Sequence, residues 1–382
     1  MPAPSVPVTI DDPTNIAILE ISEDSIDGFA RDPFDEIARR AGLDPDTVIE
    51  RVRAMLEAGT IRRVRQTLLA TNLAQGALVA WELPEDKLQA GFDHLFQDDP
   101  FSGHVVIRST DIAIPGSRYR LWTTLKVPQG YSIDKHCRHQ AAGIGALRFR
   151  TMQAKCLFRL GVGHTRRRGM EPGARADAPA EVLDTTLVEL DEGEWRALTA
   201  LKREFAPHEL VRDLWQSRAA EAGLSRDEFY AIAESLQARR VIGRFSTFLE
   251  HVKPIAGNQR VTRYNALFHW AVPPGQELDA GREVGRHHIM THAYWREGGP
   301  EFHNVNVMGV AHGTEQDTLL AHKAAIDQHL EEAGIPVAYT AVFWGGRSEI
   351  KPSEISPHAY REWCAAEGLD PAAMRGEPEP TG

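Results

Sequence analysis

The sequence is poor in cysteine and contains no long apolar run. Its three cysteines, Cys137, Cys156 and Cys364, are far apart and never form a Cys-x-x-Cys pair, which argues against a disulfide framework and a zinc knuckle. No stretch approaches the roughly 18 apolar residues of a membrane helix. Residues 1–7 lack the basic and apolar regions of a secretory signal. We therefore expect a cytoplasmic protein that does not associate with membranes.

The sequence also lacks a surplus of positive charge and a phosphate-binding glycine loop. Its net charge of -11 repels a polyanion, so nucleic-acid binding would need a strongly basic local face. Without a glycine-rich phosphate loop, no nucleotide cofactor is implied, and we predict neither a cofactor nor a protein-bound metal. At 382 residues and 42% hydrophobic content, the chain is long enough to bury two cores.

A winged-helix pattern opens the chain. Residues 33–41 predict an amphipathic helix that ends at Gly42, and a second helix follows from Pro45. Residues 60–65 then predict a wing strand, and residues 77–84 predict the first strand of a new sheet. The order indicates a winged helix followed by an α+β domain.

The same pattern returns in the second half of the chain. Gly42 plus 181 is Gly223, and the strand at 77–84 recurs at 266–273 with an offset of 189. The later segments predict the order strand, helix, strand, strand, helix, strand, which is the ferredoxin-like plan. The predicted organisation is a first repeat at 12–164 (helix-turn-helix about 15–66, sheet domain about 75–164), a linker at 165–182, a second repeat at 183–350 (helix-turn-helix about 190–248, sheet domain about 262–350) and a tail at 351–382 without an assigned role.

Three chemically active side chains alternate in one β-like segment of the second repeat. His292, Tyr294 and Arg296 occupy every second position, so all three should project from one face of a strand. The next segment contains Asn304 and ends in His312 and Gly313. An imidazole, a phenol and a guanidinium on one face are typical of a functional site.

This pattern resembles the His-x-Tyr-x-Arg strand, and the following strand with an asparagine and a His-Gly end, of siroheme decarboxylases. These enzymes are two-repeat relatives of Lrp/AsnC regulators, and the resemblance extends from about Ile16 to Ile350. It implies an α+β fold of two tandem repeats, each a winged helix-turn-helix followed by a ferredoxin-like βαββαβ domain of the Lrp/AsnC ligand-binding type. It also implies non-oxidative loss of carbon dioxide from two ring acetates of siroheme, giving didecarboxysiroheme on a route to haem or haem d1. The siroheme iron belongs to the substrate.

The first repeat departs from the family pattern. Arg108 occupies the position equivalent to His292, with no tyrosine two residues later, and Arg120 is equivalent to Asn304. The tyrosine that usually precedes the asparagine is His303 here. We therefore expect one active site, in the second repeat.

The eight carboxylates of siroheme call for cations, and arginine binds planar carboxylates in a bidentate manner. Ordinary solvated charge is the alternative for any single basic residue. Basic residues nevertheless collect around the wing and sheet segments: Arg62, Arg63, Arg65, Arg118, Arg120, Lys126, Arg244, Arg260 and Arg263. The predicted substrate-binding set is Arg63, Arg108, Arg118, Arg120, Lys126, Arg244, Trp270, Asn304 and His312.

The resemblance also suggests catalytic roles for the alternating side chains. Loss of a ring carboxylate leaves a carbanion equivalent that needs a proton, and His292 can carry one at cellular pH. Tyr294 would position His292 or donate in its place. Arg296 would hold a carboxylate that does not react, because pairing with the leaving carboxylate would stabilise the ground state. The reacting acetate would lie against apolar surface such as Trp270.

Two readings without catalysis compete with the enzyme: a tetrapyrrole carrier and an Lrp/AsnC-type haem-responsive regulator. The second helix of each helix-turn-helix would have to contact DNA. Both carry acidic residues that would oppose phosphates: Asp44, Asp46 and Glu50 in the first, and Asp227, Glu228 and Glu234 in the second. We therefore predict a small-molecule tetrapyrrole as partner rather than nucleic acid, and leave open whether the chain forms a homodimer.

Overall fold

The computed structural model of the protein describes residues 6–160, 170–183, 185–250 and 262–376. The chain divides into two compact units. The first comprises Met1–Leu69, Gly161–Gly169 and Val188–Arg263, and the second comprises Ala70–Leu160, Met170–Leu187 and Tyr264–Gly382. Each predicted repeat therefore contributes its winged-helix part to the first unit and its sheet to the second. The repeat boundaries themselves stay a prediction.

The elements of the described ranges alternate between helices and strands in an order that repeats along the chain. The helices are α1 (Pro13–Ser22), α2 (Pro33–Ala41), α3 (Pro45–Glu57), α4 (Leu88–Gln97), α5 (Ile133–Ile144), α6 (Glu192–Lys202), α7 (Gln216–Glu221), α8 (Arg226–Ala238), α9 (Glu277–Gly285), α10 (Gln316–Glu332) and α11 (Pro357–Ala366). The strands are β1 (Ile26–Asp27), β2 (Ile61–Leu68), β3 (Ala74–Glu82), β4 (Ser102–Ser109), β5 (Tyr119–Pro128), β6 (Arg148–Leu160), β7 (Ile242–Leu249), β8 (Tyr264–Ala271), β9 (Met290–Arg296), β10 (Val307–Gly313) and β11 (Tyr339–Ile350).

The first unit contains two helix-turn-helix motifs that share one sheet. The turn after α2 uses Gly42 and the turn after α7 uses Gly223, each with a φ of 68°, a left-handed conformation that favours glycine. Asp44 caps α3, and Ser225 forms a capping box with Glu228 at the start of α8. The wing strands β2 and β7 pair with each other, in the order β1-β7-β2.

The second unit is a closed barrel of eight strands in the order β10-β8-β11-β4-β5-β3-β6-β9. The order strand, helix, strand, strand, helix, strand occurs twice, from β3 to β6 and from β8 to β11. We call these the first and the second half of the barrel. Pairing of β4 with β11 and of β6 with β9 joins them, for example Ser109 with Trp344 and Ala154 with Arg296. The sequence did not predict this closure.

Side chains alternate between the inner and the outer face of each barrel strand. On the outer side, Val79 and Leu121 belong to the core that the first half shares with α4 and α5, while Phe268 packs with residues of α9 and α10. Inside the barrel, Trp122 and Met308 are fully buried among aliphatic and aromatic side chains of both halves. Burial of side chains of this size contributes roughly 1.5–3 kcal/mol each.

The tail after β11 is part of the fold of the first half. Tyr360 of α11 is fully buried and stacks on Tyr131 at a centroid distance of 4.2 Å. The imidazole of His136 lies 3.2 Å from the Tyr360 hydroxyl and 3.4 Å from the Asp99 carboxylate. Helix α11 therefore stabilises the first half, a role that the composition of the tail did not reveal.

Within the described ranges, no helix combines the length and the apolar character needed to cross a bilayer.

Candidate functional site

Strand β9 carries His292, Tyr294 and Arg296 on the inner face of the barrel. His292 lies opposite Val310 and Tyr294 lies opposite Met308, which belongs to the interior core. The rings of His292 and Tyr294 are nearly parallel, at 8° and a centroid distance of 6.0 Å. The Arg296 guanidinium lies 4.4 Å from the centroid of the Tyr294 ring. The structure thus groups the imidazole, the phenol and the guanidinium in one row.

Burial sets the protonation of this row. It raises the pKa of Tyr294, and the nearby Arg296 only partly opposes the rise, so the phenol stays a neutral donor. Burial lowers the pKa of Arg296, against the smaller effect of Tyr294, but a guanidinium keeps its charge under cellular conditions. Arg296 is 7% exposed and donates a hydrogen bond from Nη1 to the Met152 carbonyl.

A chain of hydrogen bonds leads from His292 to the first half of the barrel. His292 Nδ1 lies 3.2 Å from Thr291 Oγ1, which is 3.4 Å from His312 Nδ1. His312 Nε2 lies 3.0 Å from Asn265 Nδ2, and Arg108 Nη2 donates to Asn265 Oδ1 at 3.1 Å. Sequence reasoning did not select Thr291 or Asn265 as site residues. Only their positions could have indicated a role: Thr291 directly precedes His292, and Asn265 lies opposite His312 in the pairing of β8 with β10.

Arg108, Lys126 and Arg296 project toward the barrel interior. Burial lowers the pKa of Arg108 to about 9, and burial together with Arg296 lowers the pKa of the partly buried Lys126 to about 7. Among the residues that the structure describes, the ion pairs found include no carboxylate partner for any of the three. A buried charge without a counterion is costly. The positive charge inside the barrel therefore favours binding of an anion.

His269 of β8 lies on the same inner face and is fully buried. Its ring contacts Phe343 at a centroid distance of 4.8 Å, with Trp122 and Phe302 near 6 Å. Neither ring nitrogen has a hydrogen-bond partner within the described ranges. Burial, then Arg108, lowers the pKa of His269 to about 3, so this imidazole is neutral.

Trp270 does not join this inner face. Its side chain is buried on the outer side of β8, where the indole Nε1 donates to Asp327 Oδ1 at 2.7 Å and the Lys323 ammonium lies 5.0 Å from the ring centroid. The contacts are those of a core residue beneath α10. Its predicted contact with substrate is not supported by this placement.

Asn304 is also placed differently from the prediction. It lies before β10 in an exposed turn with a φ of 54°, where its backbone N–H donates to the Gly299 carbonyl. The buried asparagine is Asn306, whose side chain bonds both the N–H and the C=O of Val272. Asn304 was expected on a strand because the alternating pattern gave no sign of the turn.

Two other predicted basic residues, Arg118 just before β5 and Arg120 within it, lie close to carboxylates. Arg118 is 57% exposed and lies 3.6 Å from a carboxylate oxygen of Glu82. Arg120 donates from Nε to the Arg108 carbonyl and lies 3.4 Å from Glu85 Oε2. Arg120 thus contacts the backbone of Arg108, and neither Arg118 nor Arg120 adds uncompensated charge.

The predicted wing arginines belong to the first unit. Arg63 of β2 forms a 3.1 Å ion pair with Glu204, and Arg244 of β7 lies opposite Asp27 of β1. Burial, followed by the charge of Arg63, lowers the pKa of Arg65 to about 10. Arg260, and residues 165–169 of the predicted linker, lie outside the described residues.

Fold and site together define a class: a protein with paired winged helices in one unit and a barrel with uncompensated internal cations in the other.

Comparison with known proteins identifies the relatives of this class. Residues 29–62 match the family model for the siroheme decarboxylase NirDL-like HTH domain. The siroheme decarboxylase NirH subunit of Stutzerimonas stutzeri is 28% identical over 139 residues, which cover 36% of this chain and 76% of that subunit.

Solved structures extend the likeness to nearly the whole chain. The crystal structure of the siroheme decarboxylase NirDL superposes with a TM-score of 0.64 at 19% identity, covering 92% of this chain and 98% of that one. NirDL in complex with an iron-uroporphyrin III analogue gives a TM-score of 0.63 at 19% identity, covering 93% and 99%. At this identity the structures establish the fold. Together, the three comparisons confirm the resemblance to siroheme decarboxylases.

Proposed function

We propose that this protein is a siroheme decarboxylase that removes carbon dioxide from the two ring acetates of siroheme without oxidation. The observation that carries the proposal is the set of internal cations Arg108, Lys126 and Arg296, which have no carboxylate partner among the described residues. A tetrapyrrole with eight carboxylates would supply the missing anions. The related NirDL was crystallised with an iron-uroporphyrin III analogue, which supports a ligand of this class.

The proposed architecture is two tandem copies of one unit, each a winged helix followed by a ferredoxin-like βαββαβ domain. In the first half of the barrel the strands lie in the order β4-β5-β3-β6, and in the second half in the equivalent order β9-β10-β8-β11. Equivalent strand orders support a duplication. Only the second copy has an imidazole and a phenol on its inner row, so we propose a single catalytic centre.

The chemistry assigns one task to each side chain of the row. The bond between the ring methylene and its carboxylate breaks, carbon dioxide leaves, and the electron pair stays on the methylene carbon. His292 would then deliver the proton that makes a methyl group. Tyr294, kept neutral by burial, would orient the acetate or relay the proton. Arg296 would bind a carboxylate that does not react, because pairing with the reacting one would stabilise the ground state.

The recognition helices give little support to the regulator. Arg212 donates to Asp46 Oδ1 at the start of α3 at 2.7 Å and to Asp35 Oδ1 of α2 at 3.0 Å. Arg53 of the same helix donates to the carbonyls of Pro207 and Leu210. The first recognition helix thus engages the second winged-helix segment within its own unit, and its acidic start would repel phosphates. We favour the enzyme over a DNA-binding protein; a cytoplasmic location and a homodimer stay predictions.

Anaerobic incubation of the purified protein with siroheme, followed by mass spectrometry of the extracted tetrapyrrole, tests the proposal. Loss of two carbon dioxide units, abolished in His292→Ala, is the expected result. Unchanged siroheme that co-elutes with the protein would instead indicate a carrier.

A further inference from the structure

We propose that Thr291 is a positioning residue that fixes the tautomer of His292. Its hydroxyl oxygen accepts the Nδ1–H of His292, so that the proton given to the product comes from Nε2. The inference rests on the proposed role of His292 as proton donor. It follows from the direction of each hydrogen bond in the chain from Arg108 to His292.

The direction is set at Arg108, because a guanidinium has donors and no acceptor. Its Nη2 bonds the Asn265 side chain at 3.1 Å, so the atom that it meets is the amide oxygen. The amide nitrogen of Asn265 therefore faces His312, at 3.0 Å from Nε2. An amide nitrogen only donates, so Nε2 of His312 accepts and its ring proton lies on Nδ1. Arg108 thereby favours a neutral His312.

The hydroxyl oxygen of Thr291 accepts hydrogen bonds from both His312 and His292. The only proton of its hydroxyl is directed to the Val310 carbonyl at 2.8 Å, which leaves two lone pairs on the oxygen. One faces His312 Nδ1 at 3.4 Å and the other faces His292 Nδ1 at 3.2 Å. Since the oxygen can only accept in these two contacts, both Nδ1 atoms carry hydrogen. His292 is then protonated and deprotonated at Nε2.

This direction has a catalytic consequence. A histidine that transfers protons works through one nitrogen while a partner at the other nitrogen holds the tautomer and the ring orientation. Thr291 is 2% exposed and cannot exchange its role with bulk water. Loss of its oxygen would let the His292 proton distribute between both nitrogens and weaken the orientation of the ring. The rate of proton delivery would fall, while the cations that bind the substrate would be unchanged.

The experiment compares Thr291→Val, which keeps the β-branched shape and removes the oxygen, with Thr291→Ser, which keeps the oxygen. Protein with ¹⁵N-labelled histidine is studied by NMR without ligand, and His292→Gln identifies the signals of His292. Wild type and Thr291→Ser should show His292 as the Nδ1–H tautomer, and Thr291→Val should show a mixture.

The same variants are then assayed with siroheme. Thr291→Val should lower kcat about 10-fold, the effect of a lost hydrogen bond of about 1.4 kcal/mol, with KM nearly unchanged. Thr291→Ser should have a kcat close to that of wild type.

The outcomes separate this inference from the function on which it rests. An Nε2–H tautomer of His292 in the wild-type protein would overturn it, even if no variant folds. Equal losses of kcat in Thr291→Ser and Thr291→Val would also overturn it, because packing alone would then explain the effect. If the protein does not convert siroheme at all, the proposed function fails, while the NMR result still decides whether Thr291 fixes the tautomer.

Discussion

The two halves of the barrel have the same strand order and different inner surfaces. In the first half, Arg108 and Lys126 face the interior, whereas the second half has His292, Tyr294 and Arg296 in one row. The matching positions Arg108 and His292 are joined through Asn265, His312 and Thr291. Under the proposed duplication, the scaffold is preserved while the chemistry has diverged. We propose that the first half contributes to anion binding and that the second half supplies the proton in addition to the carboxylate-binding Arg296.

The largest effect is expected where proton transfer is assigned. His292→Ala should lower kcat by about 10²–10⁴-fold, the usual contribution of a positioned general acid, with the Kd for siroheme changed only a few-fold. Single-turnover mass spectrometry and titration of the tetrapyrrole absorbance measure the two quantities.

His358→Ala is the matched control, because this imidazole is 73% exposed and pairs only with the nearby Glu362 among its described ion-pair partners. It should retain wild-type turnover. If Arg108→Met lowers kcat at saturating siroheme as much as His292→Ala does, proton transfer cannot be attributed to the second half alone.

The next largest effect concerns affinity. Arg108→Met should raise the Kd for siroheme about 30-fold or more, because removing one partner of a buried charge pair costs about 2 kcal/mol or more. Titration of apoprotein with siroheme measures the change. Arg118→Met, at a position that is 57% exposed and paired with Glu82, should change Kd less than about 5-fold. Equal effects of the two substitutions would mean that the interior does not bind the carboxylates.

Local signals in the sequence were sufficient for the winged helices and for the row on β9. Glycine at the left-handed position after α2 and α7, with a capping residue two positions later, marks each turn without knowledge of the rest of the chain. Strict alternation places His292, Tyr294 and Arg296 on one face. These features depend on neighbours along the chain, which the sequence displays directly.

Features that depend on distant partners were not predictable. Closure of the barrel needs β4 to pair with β11, and neither strand shows its partner in its sequence. Trp270 was predicted to form apolar surface for the reacting acetate. Since β8 is apolar on both faces, the pattern does not tell which face carries His269 and which carries Trp270. Thr291 reaches His292 and His312 where the ladder shifts register beside Val310, an irregularity that alternation does not predict.

A smaller effect is expected at Lys126 of the first half. Its buried charge should lower the stability of the ligand-free protein and strengthen the binding of siroheme. Its pKa is lowered from 10.5 to about 7 in the folded protein, so the unfolded chain binds more protons between these values. Stability therefore rises with pH across this window, and the cost of the buried charge is complete below pH 7. Lys126→Met should stabilise the ligand-free protein by about 1 kcal/mol or more at pH 6 and weaken siroheme binding.

Denaturant unfolding at pH 6 and at pH 9 measures the stability, and siroheme titration across the same range measures the affinity. Wild-type affinity should fall as pH rises through about 7, where Lys126 loses its proton in the ligand-free protein, and Lys126→Met should lack this step. A destabilised variant with unchanged affinity would remove Lys126 from the anion-binding surface.

The smallest effect tests a second difference between the halves, at positions 80 and 269, which the offset of 189 matches. The first half has Ala80 there and the second has His269, whose pKa is lowered from 6.5 to about 3. Between these values the unfolded chain binds the extra proton, so stability falls as pH decreases below 6.5, by at most about 1.4 kcal/mol per pH unit. His269→Leu should reduce the slope between pH 6.5 and 5 relative to wild type, whereas exposed His358→Leu should preserve it; the part that remains comes from other histidines with a lowered pKa, such as His287. Urea unfolding at both pH values decides: an unchanged slope in His269→Leu would show that the interior of the second half accepts a proton at His269 without cost.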